Sequence, residues 1–455
     1  MKHPETKTKQ LTIIGGGITG LTCAYIAAKN GYKVRVLEAS DSFGGLLNTF
    51  SIGDNRLEHY YHHFFTHDVE LNWLVKELEI ENKLYFKKTS MGVFRNGKIY
   101  NFNSPRDLLN FSPLTFADKG RFAATSFFLG KFANWQDYED ISCMEWLYKY
   151  AGKNTTNSLW KPLLDIKFGP YANEVPLAWM IGRLRQRMSS RKQGEEKLGY
   201  LQGSLDTLLQ ALLAKLKTYN VELITSSAVT KLNMEGASLK GVETKGENYS
   251  GGDFLFTIPT IYVKDFFKGV DNAIFNQLNN IQYFGAVCVI LDLKKPLSKT
   301  YWLNVADSGF PFGGIIEHTN FIPSSEYNNK HIVYLSRYYS QTEKIAGQNT
   351  NEIIADMLPY LKKIYKDFDH NSINDIHVFR TNTAATVCDL NFSKKVNSCK
   401  QLINGMWFAN MAHIYPDERS TNNAIRVSAE ACKVMGMETD FIPYGHSLSG
   451  KIGFE

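Results

Sequence analysis

The chain has 455 residues, six cysteines and a formal net charge of +6. That size calls for two domains around a large core, and the modest charge, with no Lys/Arg run, argues against nucleic acid while permitting an anionic substrate or membrane surface. Its apolar stretches stay below the roughly 18 residues of a bilayer span. The start, MKHPETKTKQ, lacks the apolar core of a secretory leader, and Cys23, Cys143, Cys288, Cys388, Cys399 and Cys432 form no C-x-x-C pair. A reduced, cytoplasmic protein without zinc or another metal is expected.

Residues 11–14 (LTII) form a short apolar run suited to a buried parallel strand. Gly15, Gly17 and Gly20 follow in G-x-G-x-x-G spacing, with Ile18 and Thr19 in the opening turn of the next helix. The first glycine allows a tight turn, the second lets backbone approach a pyrophosphate, and the third lets helix and strand pack closely. Leu21, Ala24, Tyr25 and Ala28 recur at helical spacing, Gly31 can end the helix, and 33–37 (KVRVL) is a second strand closing on Glu38. Glu38 stands where a ribose would be held, and a carboxylate there selects FAD or NAD over NADP.

Beyond Glu38 the chain reads ASDSFGGL, so Gly44 and Gly45 bring a second backbone stretch to the cofactor, flanked by Ala39 and Leu46. This run resembles the amine oxidase, protoporphyrinogen oxidase and phytoene desaturase superfamily of flavoproteins, and the resemblance extends over most of the chain. It implies an α/β architecture: a Rossmann-like FAD-binding domain (1–95, 199–260 and 396–455) interwoven with an α+β substrate-binding domain (96–198 and 261–395) of mixed sheet and helical layer. It also implies non-covalent FAD and a protoporphyrinogen oxidase-like dehydrogenation or desaturation, with hydride passing from a substrate carbon to flavin N5.

Residues 57–68 (LEHYYHHFFTHD) pack four histidines and four aromatics into twelve positions. Metal ligation by His59, His62, His63 and His67 is one reading, weakened because Glu58 and Asp68 complete no fixed ligand pattern; aromatic packing is another. In the superfamily this segment passes along the isoalloxazine ring, which implies Tyr60 as a cofactor contact and Tyr61, His62 and His63 as catalytic candidates. Its Y-x-x-H-x-F look is similar to UDP-galactopyranose mutases, which opens an alternative: flavin-dependent isomerisation of a nucleotide- or lipid-linked sugar.

Residues 69–79 have the spacing of an amphipathic helix, and 91–102 alternate around an Asn96-Gly97 turn, a hairpin that leaves the dinucleotide domain. Ser104-Pro105 starts a helix, and the Phe-rich stretch up to 135, edged by Lys119, Arg121 and Lys131, is either a face for a membrane surface or a layer covering the active site. Residues 160–179 are turn-rich around Gly169-Pro170. Arg183, Arg185, Arg187 and Arg191 then form either a phosphate-binding group or a solvated helix face; the first three, with Arg337, are the candidate substrate contacts.

The chain returns to the cofactor through 199–216, a glycine turn feeding an amphipathic helix, and strands at 221–224 and 228–232, and the resemblance sets Val229 against the adenine. Thr257 and Ile258 end a further strand that runs to the nucleotide. Strands at 286–293, 313–317 and 331–335 belong to the mixed sheet; Cys288 stands near where many amine oxidases carry a lysine, a departure from amine oxidation. In 405–426 (GMWFANMAHIYPDERSTNNAIR) a strand at 406–409 leads past Met411 to a helix capped by Ser420 or Thr421 and beginning at Asn422 and Asn423. Its free N–H groups can face the flavin. Asn410 takes a position where the superfamily has glycine.

Overall fold

The computed structural model describes residues 9–192, 195–269, 271–397 and 401–445. The first eight residues and Cys399, used above for compartment, lie outside that range. Among the described residues, a six-stranded sheet runs in the order Glu222–Ile224, Lys33–Leu37, Gln10–Ile14, Asp253–Phe256, Met406–Phe408, Gln401–Ile403. All neighbours are parallel except the last pair. The central strands Gln10–Ile14 and Asp253–Phe256 are buried on both sides, so alternate residues feed two cores. Leu11, Ile13, Val36 and Leu255 pack under helices Ile18–Lys29, Ser204–Thr218 and Thr421–Val434. Ile14, Leu37, Phe254 and Phe256 face the other way, toward Val242 and Tyr249.

Helix Ile18–Lys29 is buried at ten of its twelve residues, well beyond the single stripe of Leu21, Ala24, Tyr25 and Ala28. Helices Ser204–Thr218 and Thr421–Val434 both pack against it. Its small residues allow that approach: a Cβ on Gly20 would stand 2.0 Å from the Gly15 carbonyl oxygen.

The second large sheet has seven strands, in the order Ile373–Thr386, Tyr283–Leu293, His331–Tyr339, Gly314–Glu317, Trp302–Val305, Met91–Arg95, Lys98–Asn101. It is mixed, with one parallel pair between Trp302–Val305 and Met91–Arg95. The hairpin at Asn96-Gly97 forms as expected, with φ positive at both residues (51° and 73°), the requirement of a two-residue turn. Both its strands lie in this sheet, so a division at 95/96 would cut the hairpin in two. Val287, Val289, Leu291, Val333 and Leu335 point to helix Thr350–Ile364. Cys288, Ile290 and Tyr334 point the opposite way, to Leu57, Tyr60 and Tyr61.

A helical layer closes the second half: Cys143–Tyr150, Lys161–Phe168, Leu177–Ser189 and the long Phe116–Lys131 helix, which packs on Leu177–Ser189. Gly130 makes that crossing close, since a Cβ there would fall 2.2 Å from Met188 Sδ. The outer side of this layer stays apolar, with Phe116 81% and Phe132 69% exposed. No helix among the described residues is long and apolar enough to cross a membrane.

Candidate functional site

The glycine loop is built by the strand end and by what lies beneath it. Gly15 (φ 112°) donates its N–H to Leu37 O at 2.9 Å, and Thr257 Oγ1 donates to the carbonyls of Ile14 and Gly15 at 3.1 and 3.0 Å. Ile258 packs against the same turn; its Cγ2 would be 2.8 Å from a Cβ on Gly15. Glu38 locks the turn from the other side. Its Oε2 accepts from Gly16 N at 2.7 Å, and its Oε1 accepts from Ser40 N and Oγ, both at 2.8 Å. The Ser227 amide donates to Glu38 O at 2.8 Å, and Val229 opens a strand two residues later. Ala39 lies between Glu38 and Ser40 in this tight bend.

Gly44 and Gly45 (φ 129° and 56°) fold back onto this loop, and Leu46 continues them in a short helical turn, Gly45–Leu47. A parallel bridge joins Gly17 to Gly44. The two loops leave room for a dinucleotide at one place. Most glycines of the two loops are crowded: a Cβ on Gly16 would meet Phe43 at 2.3 Å and one on Gly44 would meet Asn48 at 2.3 Å. Beside Gly17 there is open space within 4 Å, at the N-terminus of a helix with no side-chain cap and no acidic residue in its first turn. That is a cradle of unpaired N–H groups and positive dipole, suited to a pyrophosphate.

The second helix start fits less simply. Ser420 caps Thr421–Val434, its Oγ accepting from Asn423 N at 3.1 Å. Asn422, expected at the cofactor, turns its side chain into the scaffold: Oδ1 accepts from Leu71 N at 2.9 Å and Nδ2 donates to Glu70 at 2.9 Å. Asn423 Nδ2 donates to Glu418 O at 2.8 Å. The side chains of Asn422 and Asn423 therefore hold the helix in place, and the backbone N–H groups at Thr421 and Asn422 are what this terminus offers a ligand. Asn410 needs no glycine-like backbone, with φ −138°; its side chain accepts from Ala412 N at 3.0 Å and donates to Ile258 O at 3.0 Å, capping the short turn at Met411–Ile414.

Segment 58–63 crosses between the two sheets, anchored at its start by Glu58, which is 0% exposed. Both Glu58 oxygens accept from Tyr200 OH at 2.8 Å, Oε1 also accepts from Leu205 N, and Tyr334 OH donates to the Glu58 carbonyl at 2.8 Å. Burial pushes the Glu58 carboxyl up to about 7. The four histidines disperse among aromatics. His59 stacks on Phe379 with centroids 3.8 Å apart, His63 meets Trp302 edge-on at 5.6 Å, and His67 stacks on Phe65 at 5.4 Å. No group of three metal-ligating side chains occurs among the described residues.

His62 differs from its neighbours. Its Nδ1 lies 2.5 Å from Tyr60 O. A carbonyl only accepts, so Nδ1 carries the proton and Nε2 keeps its lone pair. Burial, then the nearby Arg419 charge, lowers His62 to about 4, and burial with Arg187 lowers His63 to about 3. Tyr61 accepts from Ser336 Oγ at 3.4 Å and meets Trp302 edge-on at 4.8 Å; burial raises its phenol above the usual range. Arg419, which sequence reasoning missed, donates to Tyr338 OH at 2.7 Å and acts electrostatically on Tyr60, Tyr61, His62 and Cys288 together. Its signal was the charge triplet Asp417-Glu418-Arg419 just before a capped helix.

The arginines expected at the substrate separate. Arg183 lies 3.6 Å from Glu418, which Lys167 also pairs at 2.6 Å. Arg185 is spent on the Ala133 carbonyl, and Arg187 pairs with Glu196 at 2.8 Å near His63. The side chain of Arg191 lies outside the description. Arg337 is a correction: it shares the face of Val333 and Leu335, pairs with Glu343 at 2.5 Å, and so stands across the sheet from Tyr61.

Comparison with known proteins agrees with this architecture. Residues 18–387 match the family described as flavin containing amine oxidoreductase. A 15-cis-phytoene desaturase of Capsicum annuum is 23% identical over 390 residues, covering 80% of this chain and 66% of that protein. A 1-hydroxycarotenoid 3,4-desaturase of Flavobacterium sp. (strain P99-3) is 36% identical over 107 residues, 23% of this chain and 22% of its own length. The chain thus spans a fifth to two thirds of these curated relatives. Among solved structures, reduced UDP-galactopyranose mutase superposes with TM-score 0.73 at 15% identity, covering 98% of each chain. Glycine loops, second sheet and sequence match lead to one placement: the chain belongs to the flavin containing amine oxidoreductase family, with FAD as its cofactor.

Proposed function

We propose that this protein oxidises a small organic substrate, as a dehydrogenase or desaturase of the protoporphyrinogen oxidase type. FAD, when bound, supplies the two-electron acceptor for a hydride leaving a substrate carbon, and dioxygen, a quinone or another acceptor takes the electrons onward. The observation that carries the proposal is the cluster of Tyr60, Tyr61, His62, Tyr338 and Arg419 in the seam between the sheets, beside the segment that follows the glycine loops. His62 presents an unprotonated Nε2 able to take a proton from the substrate. Tyr61 meets Trp302 edge-on beside it, and both rings are half-buried. Glycine loop, Glu38, the Gly44-Gly45 turn, Val229, Thr257, Ile258, Met411 and the helix start at Thr421 are the proposed cofactor contacts.

The second reading, isomerisation of a nucleotide- or lipid-linked sugar, is favoured by one feature: Lys167 and Arg419 line the same cavity, two cations on which a diphosphate could rest. The two need opposite starting states. Oxidised enzyme mixed anaerobically with porphyrinogens, polyprenyl compounds and nucleotide sugars should lose its flavin absorption with one of the first two. Product formed only after chemical reduction, with no net change of flavin state, would overturn the oxidation in favour of the isomerase.

We infer further that the outer face of the helical layer rests on an anionic membrane surface. Leu109, Phe116, Phe127 and Phe132 are 53–81% exposed, with Arg121 and Lys131 exposed beside them. Cosedimentation with phosphatidylglycerol vesicles should fall several-fold in Phe116→Ser/Phe132→Ser; equal binding by that variant would remove the contact. The five described cysteines are all buried and unpaired, which supports a reducing compartment.

A further inference from the structure

The seam contains a cavity between the helices Lys161–Phe168 and Leu177–Ser189, the strand ends that carry Phe284 and Tyr338, and the loop at 411–419. Lys167, Trp179, Phe284, Tyr338, Met411 and Arg419 line it. Its carboxylates are already answered: Glu418 is held by Lys167 at 2.6 Å with Arg183 at 3.6 Å, and Asp417 is held by Arg426 at 2.8 Å. Arg419 is different. Among the described residues it has no carboxylate at ion-pair distance; its Nη2 bonds the neutral Tyr338 hydroxyl, and its buried Nε has no hydrogen-bond partner.

Arg419 as a whole is half-buried, but its Nε is closed off from water, and a guanidinium nitrogen so placed is costly unless an acceptor meets it. The planar guanidinium fork matches the paired oxygens of a carboxylate or phosphate. Apart from Thr386, Lys167 and the two paired carboxylates Asp417 and Glu418, the rest of the lining is aromatic or apolar, and the Lys167 Nζ lies over Trp179, 4.6 Å from the ring centroid. Tyr60, Tyr61 and His62 lie within electrostatic reach of the same guanidinium.

We propose that this cavity seats an anionic arm, carboxylate or phosphate, of a substrate whose body is apolar, with Arg419 as its main ligand and Lys167 at its rim. The proposal rests on the reading that the protein oxidises a small molecule, and names the class of that molecule. Holding the charged end here leaves the apolar body to run toward His62. Arg183 and Lys167, by neutralising Glu418, keep that carboxylate from taking the guanidinium itself.

The test uses the FAD-loaded protein and three probes: benzoate, inorganic pyrophosphate and uncharged benzamide. Binding is read from the flavin difference spectrum and from tryptophan fluorescence. Benzoate or pyrophosphate should bind saturably and at least tenfold tighter than benzamide, the one that binds identifying the arm as carboxylate or phosphate. Arg419→Met should weaken that binding at least tenfold and Arg419→Lys less. If Arg419→Met does not retain flavin, Lys167→Met carries the same comparison, with an expected loss of threefold or more. Anions that bind no better than benzamide, or bind equally in the variants, overturn the proposal. The parent reading fails separately: anion binding that depends on Arg419, with no candidate substrate bleaching the flavin, leaves the subsite standing and removes the oxidation.

Discussion

The amide of Gly44 donates to the carbonyl of Gly16 at 2.9 Å, so the second glycine pair is laced directly onto the first glycine loop. This contact separates the roles of glycines that look equivalent in sequence. Gly16, Gly20 and Gly44 have no room for a Cβ because protein atoms fill the space; beside Gly17 no protein atom does.

Gly17→Ala should therefore fold normally yet bind FAD at least tenfold more weakly, because the methyl occupies the place of the pyrophosphate. Gly20→Ala should lose fold and flavin together, since its Cβ would collide with Gly15 O. Circular dichroism with flavin content after desalting checks both. Retention of full flavin by Gly17→Ala would move the pyrophosphate elsewhere.

Glu38→Ala removes a carboxylate that braces Gly16 and that we propose as the ribose contact. A charge-assisted bond is worth roughly 1.5–3 kcal/mol, so FAD affinity should fall about tenfold to a hundredfold. Acid precipitation of the wild type should release all the yellow colour, as expected of non-covalent flavin. Unchanged affinity in the variant would leave Glu38 as a loop brace alone.

His62 is held neutral by burial and by Arg419, with its titration lowered to about 4. Ring-labelled histidine NMR should find it unprotonated from about pH 5 upward, and Arg419→Met should raise its midpoint. A midpoint at the ordinary 6.5 would put the ring in water and take it out of the site.

Glu58 titrates at about 7 when folded, against 4.5 when exposed. The folded state binds the extra proton between those values, so the contribution of Glu58 to stability is full below about pH 4.5, is lost as pH rises toward 7, and is flat above. That loss amounts to about 3 kcal/mol. Glu58→Gln should lack this decline. Melting temperatures of the two proteins across pH 4.5–8 should diverge with rising pH, and parallel curves would contradict the assignment. Asp68 and the buried histidines titrate in both proteins and cancel in the comparison.

What was legible in the sequence is what the chain decides locally. The loop from Gly15 to Gly20, the carboxylate at Glu38 and the Asn96-Gly97 turn each follow from backbone conformations that few residues can adopt. The cap at Ser420 was legible for the same reason. Arg337 was misplaced because its strand is buried on both faces, so no polar–apolar alternation says which residues look toward Tyr61. Asn422 was read from helix position, but its amide is claimed by Glu70 and Leu71, some 350 residues earlier. Arg419 gains its meaning only from what surrounds it: Tyr338 from one sheet, Tyr61 and His62 from the segment between sheets.

Ser428 in the last helix donates to the carbonyl of Thr19 in the first, across 409 residues of chain. At roughly 5–20 residues per second, a ribosome needs about 20–80 s to span that interval. For all of that time helix Ile18–Lys29, apolar nearly all round, lacks one of the two helices that cover it. The layer that carries the glycine loop is thus closed only after the 409 residues from Thr19 to Ser428 have been made. Shielding of its N-terminal strands during synthesis, by a chaperone or by FAD arriving early, bears on the yield of protein as much as any contact in the finished fold.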